Sequence, residues 1–217
     1  MARKGLLIVV SGPSGAGKGT LCQALLARSS GLHFGVSVTT RPRREGEVDG
    51  VHYLFWPEER FLEAVAQGHF LEWARVYGRL YGTPVGEVVG PLEQGLDVLL
   101  DLDIQGARQV KQKLPDAVTV FILPPSLDAL QLRMVGRGTE TEDERRLRLQ
   151  AAADFIRSAE EFDYVVVNDD REEAVRQLEA ILTAERCRAS RQAVVVKGLL
   201  GALDSSREAH TKGEGAL

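Results

Sequence analysis

The sequence predicts an α/β fold built on a mainly parallel sheet, and three observations support this. Four short runs of apolar, β-branched residues lack the alternation of a half-exposed strand, so each fits a strand covered on both faces. Helical patterns separate and follow these runs, and alternation of this kind is typical of parallel sheets. A glycine-rich segment, residues 12–20, joins the first run directly to the first helical pattern.

The elements follow one another in a simple order. Strands are predicted at residues 6–10, 98–102, 118–123 and 164–167. Helices are predicted at residues 20–28, 104–114, 126–135, 142–161 and 170–188. The first run is too short for a signal peptide or a membrane span, so a buried first strand is the better interpretation.

Local signals also suggest boundaries. Thr83 and Pro84 have the pattern of an N-cap followed by proline at the first helical position, and Gly95 stands where that helix would stop. Thr141 and Glu144 form a possible capping box ahead of the long helix.

Two segments interrupt the alternation. Residues 36–81 combine strand-like pieces with one helical stretch at 58–66, and this pattern predicts an inserted α+β lobe. Residues 136–148 are crowded with charges of both signs, a pattern that is usually solvated surface but also suits a lid whose arginines swing over a triphosphate. The remaining core then covers about residues 1–35, 82–135 and 149–188.

Residues 189–217 are predicted to be a C-terminal extension that is partly disordered. Its last dozen residues offer too little apolar surface to offset ordering, so we expect a flexible tail there. The stretch at 193–203 is more apolar and suits docking on the core or on a partner.

Composition places the chain among folded globular proteins. Its 217 residues are 44% hydrophobic and 27% charged, which excludes wholesale disorder, a collagen-like repeat and a coiled coil. A net charge of -4 provides no global positive field, so we expect neither a nucleic acid nor a membrane as a partner. Cys22 and Cys187 lie in no metal-binding spacing, which favours free thiols in a reducing, cytoplasmic compartment.

The first candidate site is the segment GPSGAGKGT at residues 12–20. Its glycines let backbone N–H groups converge on phosphate oxygens, the following helix adds the positive end of its dipole, and Lys18 adds a mobile charge. The spacing alone is weak evidence for a phosphate-binding loop, and the position between a strand and a helix makes that evidence strong. The alternative is a glycine-rich turn that merely connects the strand to the helix. Gly19 follows the lysine, so a magnesium ion has to bind through water, Thr20 or nucleotide oxygens.

The second candidate is an arginine-rich segment inside the lobe. Arg41, Arg43 and Arg44 follow hydroxyl-bearing residues, and clustered guanidinium groups suit bidentate capture of a phosphate. Such a loop is by itself more often a solvated turn. Beside a phosphate-binding loop, however, a second phosphate site suggests a phosphoryl acceptor.

The third candidate is a pair of carboxylates, Asp101 and Asp103, at the end of a buried strand. Strand periodicity points both to one face, at the carboxyl end where open α/β sheets bind ligands. One carboxylate can organise hydrated magnesium, and the second can accept hydrogen bonds from a base. Alternatively, the two carboxylates cap the next helix or pair with Arg108.

In this order, the motifs resemble those of the guanylate kinase family over residues 6–188. The segments that carry the resemblance are GPSGAGK, SVTTRPRREGEVDGVHY, FLEWARVYGRLYGTP, LLDLDIQGA, GRGTE and VVVNDD. The resemblance implies a P-loop NTPase-type three-layer fold with a GMP-binding lobe and a lid. It also implies Mg²⁺-dependent transfer of the ATP γ-phosphoryl group to GMP or dGMP, a step of purine nucleotide metabolism and GMP recycling, by a monomer or homodimer.

The resemblance also assigns residues. ATP is expected at Gly12, Pro13, Ser14, Gly15, Ala16, Gly17, Lys18, Gly19, Thr20, Arg133, Arg137 and Asn168. The GMP phosphate is expected at Arg41, Arg44, Tyr53 and Tyr81, and the guanine at Ser37, Glu72, Thr83 and Asp103. The metal is expected at Thr20 and Asp101, mostly through water, and the catalytic groups are Lys18, Arg41, Arg137 and Arg148.

Two alternatives to this activity are considered. The first is a noncatalytic, guanylate-kinase-like interaction domain, which Lys18 and the complete arginine set argue against. The second is a kinase for another acceptor, such as AMP, UMP or a ribosyl bisphosphate. Carboxylates such as Glu72 disfavour AMP, because guanine offers N–H donors where adenine does not.

Overall fold

A computed structural model of the chain describes residues 5–76, 78–134 and 156–213, with the side chains of 131–134 and 204–213 left out. The strands are β1 (Leu7–Ser11), β2 (Leu32–Phe34), β3 (Val38–Thr39), β4 (Leu54–Phe55), β5 (Phe70–Val76), β6 (Arg79–Pro84), β7 (Asp97–Asp101), β8 (Val118–Leu123) and β9 (Tyr164–Val167). The helices are α1 (Lys18–Arg28), α2 (Glu58–Ala66), α3 (Gly86–Glu93), α4 (Ile104–Lys113), α5 (Leu127–Met134), α6 (Arg171–Arg186) and α7 (Ala193–Gly213). A short 3₁₀ helix covers Ser158–Glu161.

In the described part of the chain, the core sheet has five parallel strands in the order β2-β7-β1-β8-β9. This confirms the predicted α/β class and the four predicted strands. The sequence analysis missed β2, because its three residues, LHF, are too few and too mixed to form a continuous apolar run.

Helices cover both faces of this sheet, which makes three layers. Ile8 and Val10 of β1 pack in a cluster with residues of α1 and α6, whereas Leu7 and Val9 pack in a cluster with residues of α3 and α4. Both faces of β1 therefore require apolar side chains, which explains the unbroken hydrophobic run in the sequence.

The inserted lobe has its own sheet, in the order β4-β3-β6-β5. Its small core includes Val38, Phe61, Phe70 and Leu80, and α2 has the bounds predicted from the sequence. The lobe's last strand continues to Pro84, three residues beyond the predicted limit of 81.

One predicted helix start is wrong. Thr83 and Pro84 are the last residues of β6, where they pair with Glu72 and Phe70 of β5, and α3 begins at Gly86. Proline has no backbone N–H to donate, so it is tolerated at the end of a strand as well as at the first position of a helix. Pro84 therefore does not distinguish the two. The expected stop at Gly95 is correct: its φ is 82°, and the N–H groups of Gly95 and Leu96 donate to the carbonyls of Leu92 and Pro91 in a Schellman motif.

The C-terminal extension contains a helix that the sequence analysis did not predict. Residues 193–213 form the helix α7, which includes most of the dozen residues predicted to be a flexible tail. An apolar run without proline is compatible with a helix even where packing is sparse, and Leu199 is 64% exposed. Within the described ranges, no helix is both long and apolar enough to cross a membrane.

The predicted lid, residues 136–148, lies outside the described residues, as do Thr141 and Glu144 and most of the predicted helix at 142–161. Cys22 is buried and Cys187 is exposed, and both are free thiols.

Candidate active site

The glycine-rich loop is shaped by positions that tolerate no side chain. Gly12, Gly15 and Gly17 have φ angles of 142°, 83° and 90°, in the region that strains other residues. A Cβ on Gly12 would lie 2.4 Å from the carbonyl oxygen of Ile122, and one on Gly17 would lie 2.4 Å from the Nδ2 atom of Asn168. The loop therefore packs closely on its neighbours.

Lys18 is the first residue of α1 and curls back over the loop. Its Nζ donates to the carbonyl oxygens of Gly12, at 2.9 Å, and Pro13, at 3.3 Å. These neutral acceptors hold the ammonium beside the helix N-terminus. A loop and helix start of this kind can bind a phosphate group.

The side chain of Asn168 packs against the backbone of the glycine-rich loop. Its side chain is buried, and its Nδ2 donates to the carbonyl oxygen of Ala16 at 2.7 Å, while its backbone N–H donates to Leu123. The sequence analysis expected Asn168 near the ATP adenine. The structure places its amide against the loop backbone, and an adenine contact stays a prediction.

A cavity of about 750 Å³ joins the loop to the inserted lobe. The predicted site residues that line it are Gly12, Ser14, Lys18, Ser37, Arg44, Tyr53, Glu72, Tyr81, Asp101 and Asp103. Two further predicted residues, Arg41 and Thr83, hydrogen-bond to side chains of the lobe. The fold thus gathers candidates from three sequence segments around one space.

Beside this cavity, three polar side chains of the lobe form a hydrogen-bonded chain, in which Ser37 and Glu72 line the cavity and Thr83 is buried behind them. The hydroxyl of Thr83 donates to Oε1 of Glu72 at 2.7 Å, and the hydroxyls of Ser37 and Thr83 are 3.2 Å apart. Because Thr83 uses its single proton on Glu72, Ser37 donates to Thr83. Burial raises the pKa of Glu72 to about 7, aided by the nearby charge of Asp103 and opposed by the bond from Thr83.

Asp101, the last residue of β7, and Asp103, two residues later, have different surroundings. Oδ1 of Asp103 accepts from the backbone N–H of Gly106 at 2.8 Å and caps α4, as one of the alternatives from sequence predicted. Burial raises the pKa of Asp101, and the charge of Lys18 opposes that rise. Arg108 pairs with Glu161 rather than with either aspartate.

The arginine-rich segment holds its charges close to aromatic rings. The guanidinium of Arg41 binds both carboxylate oxygens of Glu47 and lies 5.2 Å from the ring centroid of Tyr53. The rings of Tyr53 and Tyr81 meet edge to face, with centroids 6.0 Å apart. Burial raises the pKa of Tyr53 to about 12, so its hydroxyl keeps its proton and can donate to an anion.

Some oxygen ligands suited to magnesium are present at the edge of the loop. A Cβ on Gly19 would lie 3.7 Å from Oδ2 of Asp101, so this carboxylate is next to the position after the lysine, and Thr20 is exposed one residue further on. No group of three or more His, Cys, Asp or Glu side chains suited to a metal occurs in the described part of the chain. These residues therefore fit an ion held mainly by phosphate oxygens and water.

Sequence analysis missed several residues of this region. Arg75, Gln105 and Arg108 line the cavity, and Glu47 and Gly106 contact predicted site residues. Glu47 could have been identified from the sequence, because it is an acidic residue within an arginine-rich segment. Nothing in the sequence around Gly106 indicates its contact with a site residue. Arg137 and Arg148 lie outside the described residues, and the side chain of Arg133 is likewise not described.

Comparisons with known proteins agree with this geometry. The family model for guanylate kinase matches residues 4–185. The chain is 53% identical to a guanylate kinase of Symbiobacterium thermophilum, over 91% of this chain and 94% of the relative. It is 50% identical to that of Syntrophomonas wolfei, over 87% of this chain and 96% of the relative.

A solved structure gives the same result. The guanylate kinase of Anaplasma phagocytophilum superposes with a TM-score of 0.73 at 34% identity, covering 88% of this chain and 91% of that chain.

Proposed function

The chain belongs to the guanylate kinase family, and we propose that it transfers the γ-phosphoryl group of ATP to GMP or dGMP, giving ADP and GDP or dGDP, in a Mg²⁺-dependent reaction. Its place in metabolism is then the recycling of GMP in purine nucleotide metabolism. We further propose that the protein is cytoplasmic, which the free thiols of Cys22 and Cys187 support because they fit a reducing compartment. We also propose that it is a monomer or a homodimer.

The observation that carries the proposal is the hydrogen-bonded chain from Ser37 through Thr83 to Glu72, whose two ends, Ser37 and Glu72, line the same cavity as Lys18. Guanine presents N1–H and an N2 amino group, which a carboxylate accepts, and an O6 acceptor, to which Ser37 can donate if its hydroxyl turns away from Thr83. Adenine presents an acceptor at N1 and a donor at position 6, so it leaves the carboxylate unpaired. A guanine-specific pocket beside a phosphate-binding loop is what a GMP kinase requires.

Phosphoryl transfer at this site needs positioning and charge neutralisation more than proton transfer. The acceptor oxygen of GMP is already anionic near neutral pH, so no general base is required. Lys18 neutralises charge on the transferred group, while Arg41, Arg44, Tyr53 and Tyr81 hold the acceptor phosphate. Asp101 and Thr20 are the residues proposed to hold the hydrated magnesium ion, which when bound neutralises charge on the ATP phosphates.

The assignments outside the described structure remain proposals from the family resemblance. We assign Arg133, Arg137 and Arg148 to the triphosphate, and Arg137 and Arg148 act from the lid. Asn168 is kept as an ATP-side residue, and its bond to Ala16 supports a role in shaping the phosphate loop.

A coupled assay of ADP release tests the proposal. Wild-type protein is supplied with ATP, Mg²⁺ and, in parallel, GMP, dGMP, AMP, UMP and CMP. We expect rapid turnover with GMP and dGMP and at least about a hundredfold lower kcat/KM with AMP. Equal rates with AMP would refute the guanine assignment, and no turnover from folded protein would favour the noncatalytic interaction domain.

A further inference from the structure

The partly buried ion pair of Arg41 and Glu47 is not explained by the assignments made so far. Nη1 of Arg41 donates to Oε2 of Glu47 at 2.7 Å, and Nη2 donates to Oε1. The two side chains are 10% and 17% exposed, so the pair is largely withdrawn from solvent. Nη1 also donates to the carbonyl oxygen of Pro42 at 2.8 Å.

Glu47 is itself held by the loop that carries the arginines. Its Oε2 accepts from the backbone N–H of Arg44 at 2.8 Å. The bonds from Arg41 and Arg44 lower the pKa of Glu47 to about 2, so the carboxylate stays ionised at any pH at which the protein works. Arg41 is further confined by the rings of Tyr53 and Phe55, at 5.2 Å and 5.6 Å.

The pairing leaves one edge of the guanidinium for another ligand. A guanidinium carries five N–H groups in a rigid plane. Glu47 and Pro42 take both protons of Nη1 and one of Nη2. Among the described residues, no partner takes the Nε–H or the second Nη2–H, and these two groups are parallel on the same edge, which suits bidentate binding of a phosphate.

We propose that Glu47 is a positioning residue for the acceptor phosphate: it holds the distal end of Arg41 so that the Nε and Nη2 edge faces the phosphate of GMP. The proposal rests on the assignment of Arg41 to that phosphate. If Glu47 acted on the phosphate by repulsion alone, removing its negative charge would strengthen GMP binding. If Glu47 positions Arg41, removing that charge weakens GMP binding.

The first test replaces Glu47 by glutamine, which keeps its size and removes its charge. We expect the KM for GMP to rise about tenfold, with kcat within about twofold and the KM for ATP unchanged. Glu45→Gln is the matched control, because it removes the same charge two residues away from an exposed side chain. A lower or unchanged KM for GMP in Glu47→Gln would overturn the proposal.

A double-mutant cycle separates positioning from a general structural role. In an Arg41→Ala background, Glu47→Gln should cause no further rise in the KM for GMP, because the residue through which it acts is gone. An additional rise of similar size would contradict the proposal. Guanosine, which lacks the phosphate, should inhibit the wild type and Glu47→Gln with the same affinity.

Glu47→Asp guards against a variant that does not fold. It keeps the charge but shortens the side chain, so an intermediate KM for GMP is expected, and a KM equal to that of the wild type would count against two-point positioning. Failure of the proposed function itself is distinguishable, since wild-type protein would then turn over no GMP.

Discussion

The two sides of the cavity are built in different ways. The phosphate loop consists of consecutive residues, 12–20, whose backbone is bent at Gly12, Gly15 and Gly17. The acceptor side instead collects single side chains from the lobe, such as Ser37, Glu72 and Thr83, and from the start of α4. Backbone geometry therefore dominates one side, and side-chain pairing dominates the other.

The two sides also hold their cations differently. Lys18 rests on the neutral carbonyls of Gly12 and Pro13, whereas Arg41 is bound to the carboxylate of Glu47. An arriving phosphate can draw the ammonium away from weak contacts, but the guanidinium is expected to keep its partner. The comparison indicates a mobile charge on the donor side and a preset charge on the acceptor side.

The largest expected effect is on the donor side. Lys18→Ala removes the mobile charge, so we expect kcat to fall about a thousandfold with either GMP or dGMP. The fold should survive, because the described bonds of Lys18 reach only two carbonyls of its own loop. The coupled assay and a thermal unfolding curve test both statements, and turnover close to the wild-type rate would remove Lys18 from the mechanism.

The acceptor side should respond to a change at Glu72 with a loss of selectivity. Glu72→Gln cannot accept from both guanine donors, so kcat/KM for GMP should fall about a hundredfold while that for AMP changes little. Wild-type affinity for GMP should rise as pH passes through about 7, because the ionised carboxylate is the better acceptor. Calorimetric titration with GMP between pH 5.5 and 8.5 checks this, and an equally steep pH dependence in the variant would contradict it.

The same carboxylate also predicts a pH-dependent stability. The pKa of Glu72 is about 7 in the folded protein against an ordinary value of 4.5, so the folded state binds the proton more tightly. Without nucleotide, stability should fall by about 3 kcal/mol as pH rises from about 4.5 to about 7. Asp103 raises this pKa and Lys113 lowers it. Urea unfolding at pH 5 and pH 8 should show this loss in the free energy of unfolding for the wild type and not for Glu72→Gln.

A smaller effect is expected from Gly106, which limits the space around Glu72. A Cβ on Gly106 would lie 2.5 Å from Oε2 of Glu72, so Gly106→Ala must displace the carboxylate. We expect about a fivefold rise in the KM for GMP and no change in the KM for ATP. Gly90→Ala in α3 is the control, since a Cβ there meets nothing within 4 Å. Identical kinetics for the two variants would show that the approach of Gly106 to Glu72 is unimportant.

The smallest effect tests the support behind the phosphate loop. Asn168→Ala leaves the buried carbonyl oxygen of Ala16 without its 2.7 Å donor, so stability should fall by about 1–3 kcal/mol. The KM for ATP should rise a few-fold while that for GMP stays constant. An equal rise in the KM for GMP would show that the phosphate-loop side and the acceptor side of the cavity are coupled.

Features carried by consecutive residues could be predicted from the sequence. The glycine-rich loop, the four long core strands and the helix Glu58–Ala66 each depend on local spacing or on an unbroken apolar run. The acceptor residues were assigned through their family motifs, and the structure places most of them around one cavity. The lid arginines lie outside the described residues, so their assignment still rests on the motif alone.

Other features depend on contacts between distant segments. The strand pairing of Thr83 with Glu72 replaced a helix start, and the amide of Asn168 contacts a carbonyl 152 residues earlier. The sequence by itself determined the fold class, the phosphate loop and the family motifs, because these depend on residue order. The tertiary structure decided the partners of Glu72, Arg41 and Asn168, because burial and hydrogen bonding depend on which side chains the packed elements bring together.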